Sequence, residues 1–442
     1  MGNGVAILAD MGTGKSLMTI AIVGTLFTEG NIERLLVVSP KSIVGVWEEE
    51  FAKFADYDYS LAVLDGCSLK KADTIRNMMG KPLQVIVVNY ESCWRLENEL
   101  AKWQPDMIVC DESSKIKNPQ AKQSKALHRL GKTATYKIIL TGTPITNSPL
   151  DFFSQYKFLD ESIFGGSFYS FRAKYAIMGG YGQHQIVGYR QMAELVEKAH
   201  SIAFRIKIDD AVDLPPYIDD VRSITLEPMA KAVYDNIDKE NYAELAGGGE
   251  ITTRNVLSSL LRLSQCTGGF IRSDTDTAVR QVSKAKLDAL EDIIDTCEDE
   301  GKKVVVFARF VPEIEAIEKM LKAKKIGYSL IMGSVTDRAE QVTKFQTDPN
   351  VKVFIGQLQT TGMGLTLTAA CVAVYYSLDF SYANYEQSRA RIHRIGQKEK
   401  CLYIHLVAKG TVDEKIMSAL KSKGDVARLL VDDYKKLLNG GK

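Results

Sequence analysis

Val5-Ala6-Ile7-Leu8-Ala9-Asp10-Met11-Gly12-Thr13-Gly14-Lys15-Ser16 joins an apolar run to a glycine turn, and Leu17 to Val23 continues it with helical apolar spacing. That order predicts a strand, a tight loop and the start of a helix. From Ala9 to Ser16 the loop reads as a phosphate cradle. Its glycines let backbone N–H groups curl around an anion, and the helix N-terminus adds partial positive charge. In such a loop Lys15 reaches the β and γ phosphates and the Ser16 hydroxyl holds Mg2+. Met11, Gly12, Thr13, Gly14, Lys15 and Ser16 therefore form the expected nucleotide contact. The general pattern has glycine where Ala9 stands, and a glycine turn that merely caps a helix is the competing reading.

Further short apolar runs fall into two sets. Val5 to Leu8, Leu35 to Val38, Val85 to Val88, Met107 to Cys110 and Ile138 to Leu140 form the first, and Val304 to Phe307, Val351 to Ile355, Val372 to Tyr376 and Leu402 to Val407 the second. Segments of helical periodicity such as Trp47 to Phe54 and Ile314 to Lys322 separate them. Each set predicts a doubly wound α/β lobe with a parallel sheet covered by helices on both faces. Between them the Leu214-Pro215-Pro216 break and the Gly247-Gly248-Gly249 turn punctuate aromatic and charged helical patterns. The expected division is a first lobe over 1–165, helical insertions and linker over 166–283, and a second lobe with C-terminal helices over 284–442.

Ligands of such sheets bind at the carboxyl ends of strands, which singles out Asp111-Glu112 after Met107 to Cys110. Asp111 is placed to bind Mg2+ and Glu112 to deprotonate the attacking water. Alone, the pair is more often a helix N-cap; its place in the same lobe as Lys15 favours catalysis. Charge developing on a γ-phosphate calls for a cation from elsewhere, and Arg391 and Arg394, i and i+3 on an expected helix, can point the same way. A basic helix face is the bland alternative for these arginines.

The 442 residues carry 45% hydrophobic and 25% charged residues, a globular composition with a net charge of only +1. Any nucleic-acid contact must then come from local patches, and Lys115, Lys117, Lys122, Lys125, Arg129 and Lys132, with no acidic residue among them, form one. Seven cysteines stand singly without zinc-ligand or disulfide spacing, which fits a reduced, intracellular compartment. No apolar stretch approaches the roughly 20 residues that span a bilayer, so a soluble protein with no membrane association is expected. His128, His184, His200 and His405 read as satisfied or exposed rather than metal-ligating, and the aromatics Phe164, Phe168, Tyr169, Phe171, Tyr175 and Tyr181 as packing.

Taken in order, these segments resemble the Swi/Snf-type translocases of superfamily two. The resemblance covers nearly the whole chain through Val37-Val38-Ser39-Pro40-Lys41-Ser42 with Trp47, Asn89-Tyr90-Glu91, Lys115-Ile116-Lys117-Asn118, Leu140-Thr141-Gly142-Thr143-Pro144 with Asn147, Val304 to Arg309, Gly362 to Ala370 and Gln387 to Gln397. It implies two RecA-like P-loop NTPase lobes with ATP and Mg2+ between them. It further implies nucleotide contact by Gly364 and Gln387, coupling of ATP to track by Thr141, Gly142 and Thr143, and nucleic-acid backbone contact in the segments of Pro40, Lys41, Tyr90, Lys117, Asn118, Thr360 and Gly362.

This sequence departs from the family pattern in several places. Ser113-Ser114 stands where Ala-His is common, the Gln357 to Thr361 stretch is atypically Thr-rich, and Asp379-Phe380-Ser381-Tyr382 replaces a Trp and Pro segment. The family's adenine-reading glutamine segment lies upstream of the phosphate loop, so the sequence is expected to be a fragment. The expected function is an ATP-dependent translocase on double-stranded DNA, a monomer of a bacterial or viral-host cytoplasm rather than a nucleus. A strand-separating DNA or RNA helicase and a non-motor, nucleotide-controlled interaction module are the alternatives.

Overall fold

A strand covered on both faces needs apolar residues at every position, whereas an edge strand does not. In the computed structural model, which describes residues 3–78, 82–180, 182, 185–246, 253–272, 278–333, 335, 337–358 and 365–433, each expected run lies in a strand, save Tyr376, which follows one. The chain divides into two compact units, Met1–Asp213 with Lys423–Lys442, and Leu214–Ser422.

The first unit holds β1 (Gly4–Ala9), β2 (Arg34–Ser39), β3 (Tyr59–Val63), β4 (Leu83–Asn89), β5 (Met107–Asp111), β6 (Tyr136–Thr141), the antiparallel hairpin β7 (Ala176–Gly179) and β8 (Gln185–Tyr189), and β9 (Ala203–Ile206). Its main sheet runs β3-β4-β2-β5-β6-β1-β9 with every pair parallel. Successive residues of each strand point to opposite faces. Thus Leu8, Val38, Val88 and Cys110 enter one apolar core while Ile7, Val37, Val87 and Val109 enter the other. That double burial is what holds the strand ends, and the loops after them, in fixed register.

The second unit contains β10 (Tyr217–Ile224), a hairpin of β11 (Phe270–Arg272) and β12 (Val279–Gln281), β13 (Lys303–Ala308), β14 (Gly327–Ile331), β15 (Val351–Gln357), β16 (Ala370–Tyr375) and β17 (Cys401–Ala408). Its sheet, ordered β10-β17-β16-β13-β15-β14, is also wholly parallel. Val304 and Val306 face one core, and Val305 and Phe307 the other.

Two expectations about organisation change. The stretch 166–283, read as helical insertions and linker, also supplies β7 to β12, of which β9 and β10 extend the two sheets. The end of the chain, expected with the second lobe, packs in the first unit: Leu430 and Val431 join its core, and Asp432 pairs with Arg205 at 2.6 Å. Among the described residues no helix is long and apolar enough to cross a membrane.

Candidate nucleotide site

Because β5, β6 and β1 are adjacent and parallel, their carboxyl ends stand side by side. Three of the expected segments leave from those ends: Asp10 to Gly14 after β1, Asp111-Glu112 at β5, and Thr141 to Thr143 at β6.

After β1 the chain turns through Gly12 and Gly14, both at positive φ (84° and 83°), a region that an L side chain rarely enters. Gly14 caps helix α1 (Lys15–Thr28), and the turn is closed by the Thr13 hydroxyl donating to the Asp10 carbonyl at 2.8 Å. Ala9 is the last residue of β1, fully buried and absent from the positive-φ residues. Alanine therefore fits where the general pattern has glycine. Lys15 Nζ folds back over the loop, donating to the carbonyls of Ala9 and Asp10 at 2.9 and 3.1 Å.

The loop is anchored by a residue that sequence reasoning missed. Arg205, from β9, donates to the carbonyls of Leu8 and Ile206, each at 3.0 Å, and pairs with Asp10 Oδ1 at 2.7 Å; Asp10 Oδ2 accepts the Ile208 N–H at 3.0 Å. Its one legible sign was an arginine inside the otherwise apolar run Ala203-Phe204-Arg205-Ile206.

Asp111 and Glu112 are both buried. Asp111 Oδ2 accepts the Trp47 indole N–H at 3.1 Å and Oδ1 accepts the Glu112 N–H at 2.9 Å. Burial, and then the neighbouring Glu112 charge, push its carboxyl up from 3.8 to about 7, while Lys15 and the Trp47 bond pull the other way. Glu112 sits in the left-handed region at φ 50°, ψ 55°, a conformation that costs an L residue roughly 1–2 kcal/mol. Its Oε2 is buried with no hydrogen-bond partner, as are Ser39 Oγ at the end of β2 and Thr143 Oγ1 after β6. Orphaned polar oxygens are rare inside proteins, and their gathering at adjoining strand ends fits a polar ligand there.

The Thr141 to Thr143 segment touches the loop. A Cβ on Gly142 would lie 3.2 Å from the Ala9 carbonyl and 3.5 Å from Asp10 Cα, and buried Thr141 Oγ1 accepts the Thr143 N–H at 3.1 Å. The serine that replaces the family's usual alanine is also tied in: Ser113 Oγ donates to Gln155 Oε1 at 2.7 Å.

Several expected nucleic-acid residues are relocated. Tyr90 is 2% exposed and its hydroxyl donates to the Asp111 carbonyl at 2.7 Å, so it supports the acidic pair from inside. Pro40 is also buried, whereas Lys41 and Asn118 are exposed. Lys117 is half-buried, which lowers its pKa, and donates to the Thr146 hydroxyl. Arg129 leaves the basic patch, since Glu97 takes it in a double ion pair at 2.5 and 2.6 Å. His128, His200 and His405 each bond a backbone carbonyl. Thr360, Gly362 and Gly364, with Tyr181 and His184, lie outside the described residues.

In the second unit the helix Tyr382–Arg389, which carries half-buried Gln387, ends before Arg391 and Arg394. The two arginines lie beyond the helix, not on the expected helix face, yet they converge: both donate to the Leu365 carbonyl, at 3.3 and 3.1 Å. Burial lowers the pKa of Arg394. Arg389 differs in kind, its guanidinium bonded to Asp219 and stacked 4.2 Å from the Tyr403 ring centroid.

Residues 2–268 match the SNF2-related domain, more than half of the chain. The chain belongs to the SNF2-related family of helicase-like ATPases. Residues 285–396 match the Helicase conserved C-terminal domain. The chain is similar to the DNA repair and recombination protein RDH54 of Saccharomyces cerevisiae, at 27% identity over 98% of this chain and 50% of that protein. It is likewise similar to the DNA repair and recombination protein RAD54-like of Danio rerio, at 27% identity over 97% of this chain and 64% of that one. The chain thus spans about half to two thirds of the length of these relatives. Among solved structures it is similar to a Sulfolobus solfataricus SWI2/SNF2 ATPase core in complex with dsDNA, at 27% identity, covering 100% of this chain and 90% of that one with a TM-score of 0.43. These curated relatives are eukaryotic and lend no support to the expected bacterial or viral cytoplasm.

Proposed function

We propose that the chain is an ATP-dependent translocase on double-stranded DNA. The observation that carries this reading is the meeting of the phosphate loop, the acidic pair and the Thr141 to Thr143 segment at three adjoining strand ends, with Gly142 against Ala9. A nucleotide cradle so built has its acidic pair at a neighbouring strand end and a third segment packed against the loop.

In this reading the N–H groups of Met11 to Ser16 receive the phosphates and Lys15 leaves the loop carbonyls for them. Ser16 and Asp111 would hold Mg2+, which would supply charge neutralisation for the phosphates when bound. Glu112, held buried with a free carboxylate oxygen, takes the proton of the attacking water. In the second unit Arg391 and Arg394 converge on one carbonyl, and by resemblance they are the candidates to stabilise charge developing on the γ-phosphate, with Gln387 and Gly364 as further candidates for nucleotide contact. Thr141 to Thr143 pass the change in the loop to Lys41, Lys117 and Asn118, whose contacts to the sugar-phosphate backbone position the duplex without reading its sequence. Thr360 and Gly362 complete that track by resemblance. The relatives named for DNA repair and recombination support DNA as the track.

The test is ATP turnover with no nucleic acid, single-stranded DNA, duplex DNA and RNA, paired with triplex displacement and duplex unwinding. Stimulation by duplex, displacement of a third strand and no unwinding are expected. Lys15→Ala should abolish turnover, and Glu112→Gln should keep nucleotide binding while stopping hydrolysis. Indifference to every nucleic acid would sink the reading.

A further inference from the structure

Gln155 lies in the middle of the helix Phe152–Leu159, among the fully buried Phe152, Phe153, Tyr156, Phe158 and Leu159, and is itself fully buried. A buried amide is unfavourable unless each of its polar atoms is bonded, and an apolar side chain of similar volume would make no such demand. Every polar atom of Gln155 is used. Oε1 accepts Ser113 Oγ at 2.7 Å, and Nε2 donates to the carbonyls of Pro144 at 2.8 Å and Asp151 at 2.9 Å. One side chain thereby joins the residue after Glu112 to the end of the Thr141 to Pro144 segment.

The chain of bonds continues beyond Pro144. Asp151 Oδ2 accepts the Thr146 N–H at 2.9 Å, the Thr146 hydroxyl at 3.0 Å and the Asn147 N–H at 2.8 Å, and the same hydroxyl accepts Lys117 Nζ. Lys117 and Asn118 belong to the segment assigned above to the nucleic-acid backbone. Glu112, at the other end, occupies a left-handed conformation that its neighbours must hold, and Ser113 is the neighbour that Gln155 grips. Loosening one of the contacts that hold a strained conformation can shift it.

Resting on the translocase reading, we propose that Gln155 is a positioning residue that couples the nucleic-acid segment at Lys117 to the orientation of Glu112. Ser113 is its link on the catalytic side, and Asp151 with Thr146 its link on the track side. Gln155 touches neither nucleotide nor DNA in this role. It transmits the state of one contact to the other.

The test is steady-state ATPase of the full chain with and without duplex DNA, for the wild type, Gln155→Leu, Ser113→Ala and the double variant. Gln155→Leu should keep the KM for ATP and the duplex affinity within about twofold, since neither ligand contacts it. The duplex-stimulated kcat relative to the basal kcat should fall roughly fivefold, about 1 kcal/mol of coupling. The double variant should lose no more than the worse single one, because both break one path. Ser113→Ala, which removes a single hydroxyl, carries the test if Gln155→Leu folds poorly. An unchanged stimulation ratio in the folded variants, or single losses that multiply in the double, overturns the coupling while leaving the translocase reading intact. A wild-type chain that ignores duplex DNA overturns both.

Discussion

Trp47 Nε1 and Asp111 Oδ2 meet at 3.1 Å across the site, one from a helix following β2 and the other from the end of β5. The bond favours the ionised carboxylate, yet burial outweighs it, and the carboxyl is pushed from 3.8 up to about 7. Above about pH 7 the folded chain therefore holds a poorly solvated charge that the unfolded chain carries freely in water. This penalty fades as pH falls from about 7 towards 4, where the folded state takes up the proton. Asp111→Asn should abolish ATP turnover and yet raise stability to urea by about 1–3 kcal/mol at pH 8, with a gain of under about 1 kcal/mol at pH 4.5. Equal gains at the two pH values would show that Asp111 does not titrate near 7.

Three arginines of the Gln387 to Gln397 stretch look interchangeable as a sequence, but the structure gives them different work. Arg389 is bonded to Asp219 and stacked on Tyr217, Tyr385 and Tyr403. Arg389→Ala leaves Asp219 without its partner and opens a gap among three rings, so it should destabilise the second unit by about 2–4 kcal/mol. Arg394→Ala should leave the melting temperature nearly unchanged while lowering kcat by about 100-fold or more, with nucleotide affinity within about threefold. Calorimetry and ATPase on the two variants separate the roles, and an unchanged kcat for Arg394→Ala removes it from the chemistry.

Most of the fold was legible because centrally placed strands must be apolar throughout, and their runs stand out. The main-sheet strands that escaped, β3, β9, β10 and β14, are the four sheet edges. An edge strand packs on fewer neighbours and carries polar residues, as Tyr217-Ile218-Asp219-Asp220-Val221 does. The loop glycines and the acidic pair were legible because their chemistry is local. Arg205 on Asp10, Tyr90 under Asp111 and Gln155 on Ser113 were not, since each joins residues at least 21 positions apart and has no spacing to betray it. The helix expected through Arg391 and Arg394 stops at Arg389, after which the Ser388 and Arg389 carbonyls accept turn bonds from Arg391 and Ile392.

Ala9 and Gly142 test whether the phosphate loop needs its missing glycine. Ala9 is strand, not turn, so Ala9→Gly should bring only the flexibility penalty and lost packing, roughly 1 kcal/mol, with no gain in ATP affinity. Gly142→Ala puts a methyl 3.2 Å from the Ala9 carbonyl and must press on the loop. An increase in the KM for ATP of about three- to tenfold is expected, measured by steady-state turnover. Tighter ATP binding by Ala9→Gly would mean that the loop is constrained at that position after all.

Tyr90 and Lys41 stand on opposite sides of the question of what touches DNA. Each lysine that neutralises a phosphate contributes about 0.9 to the slope of log affinity against log salt. Lys41→Ala should therefore weaken duplex binding on every sequence and flatten that slope by about one unit. Tyr90→Phe removes a buried hydroxyl from the Asp111 carbonyl, so it should cost about 1 kcal/mol of stability and slow turnover, with the slope and the duplex affinity unchanged. A Tyr90→Phe variant that bound duplex more weakly with normal turnover would place the hydroxyl at the DNA surface instead of under Asp111.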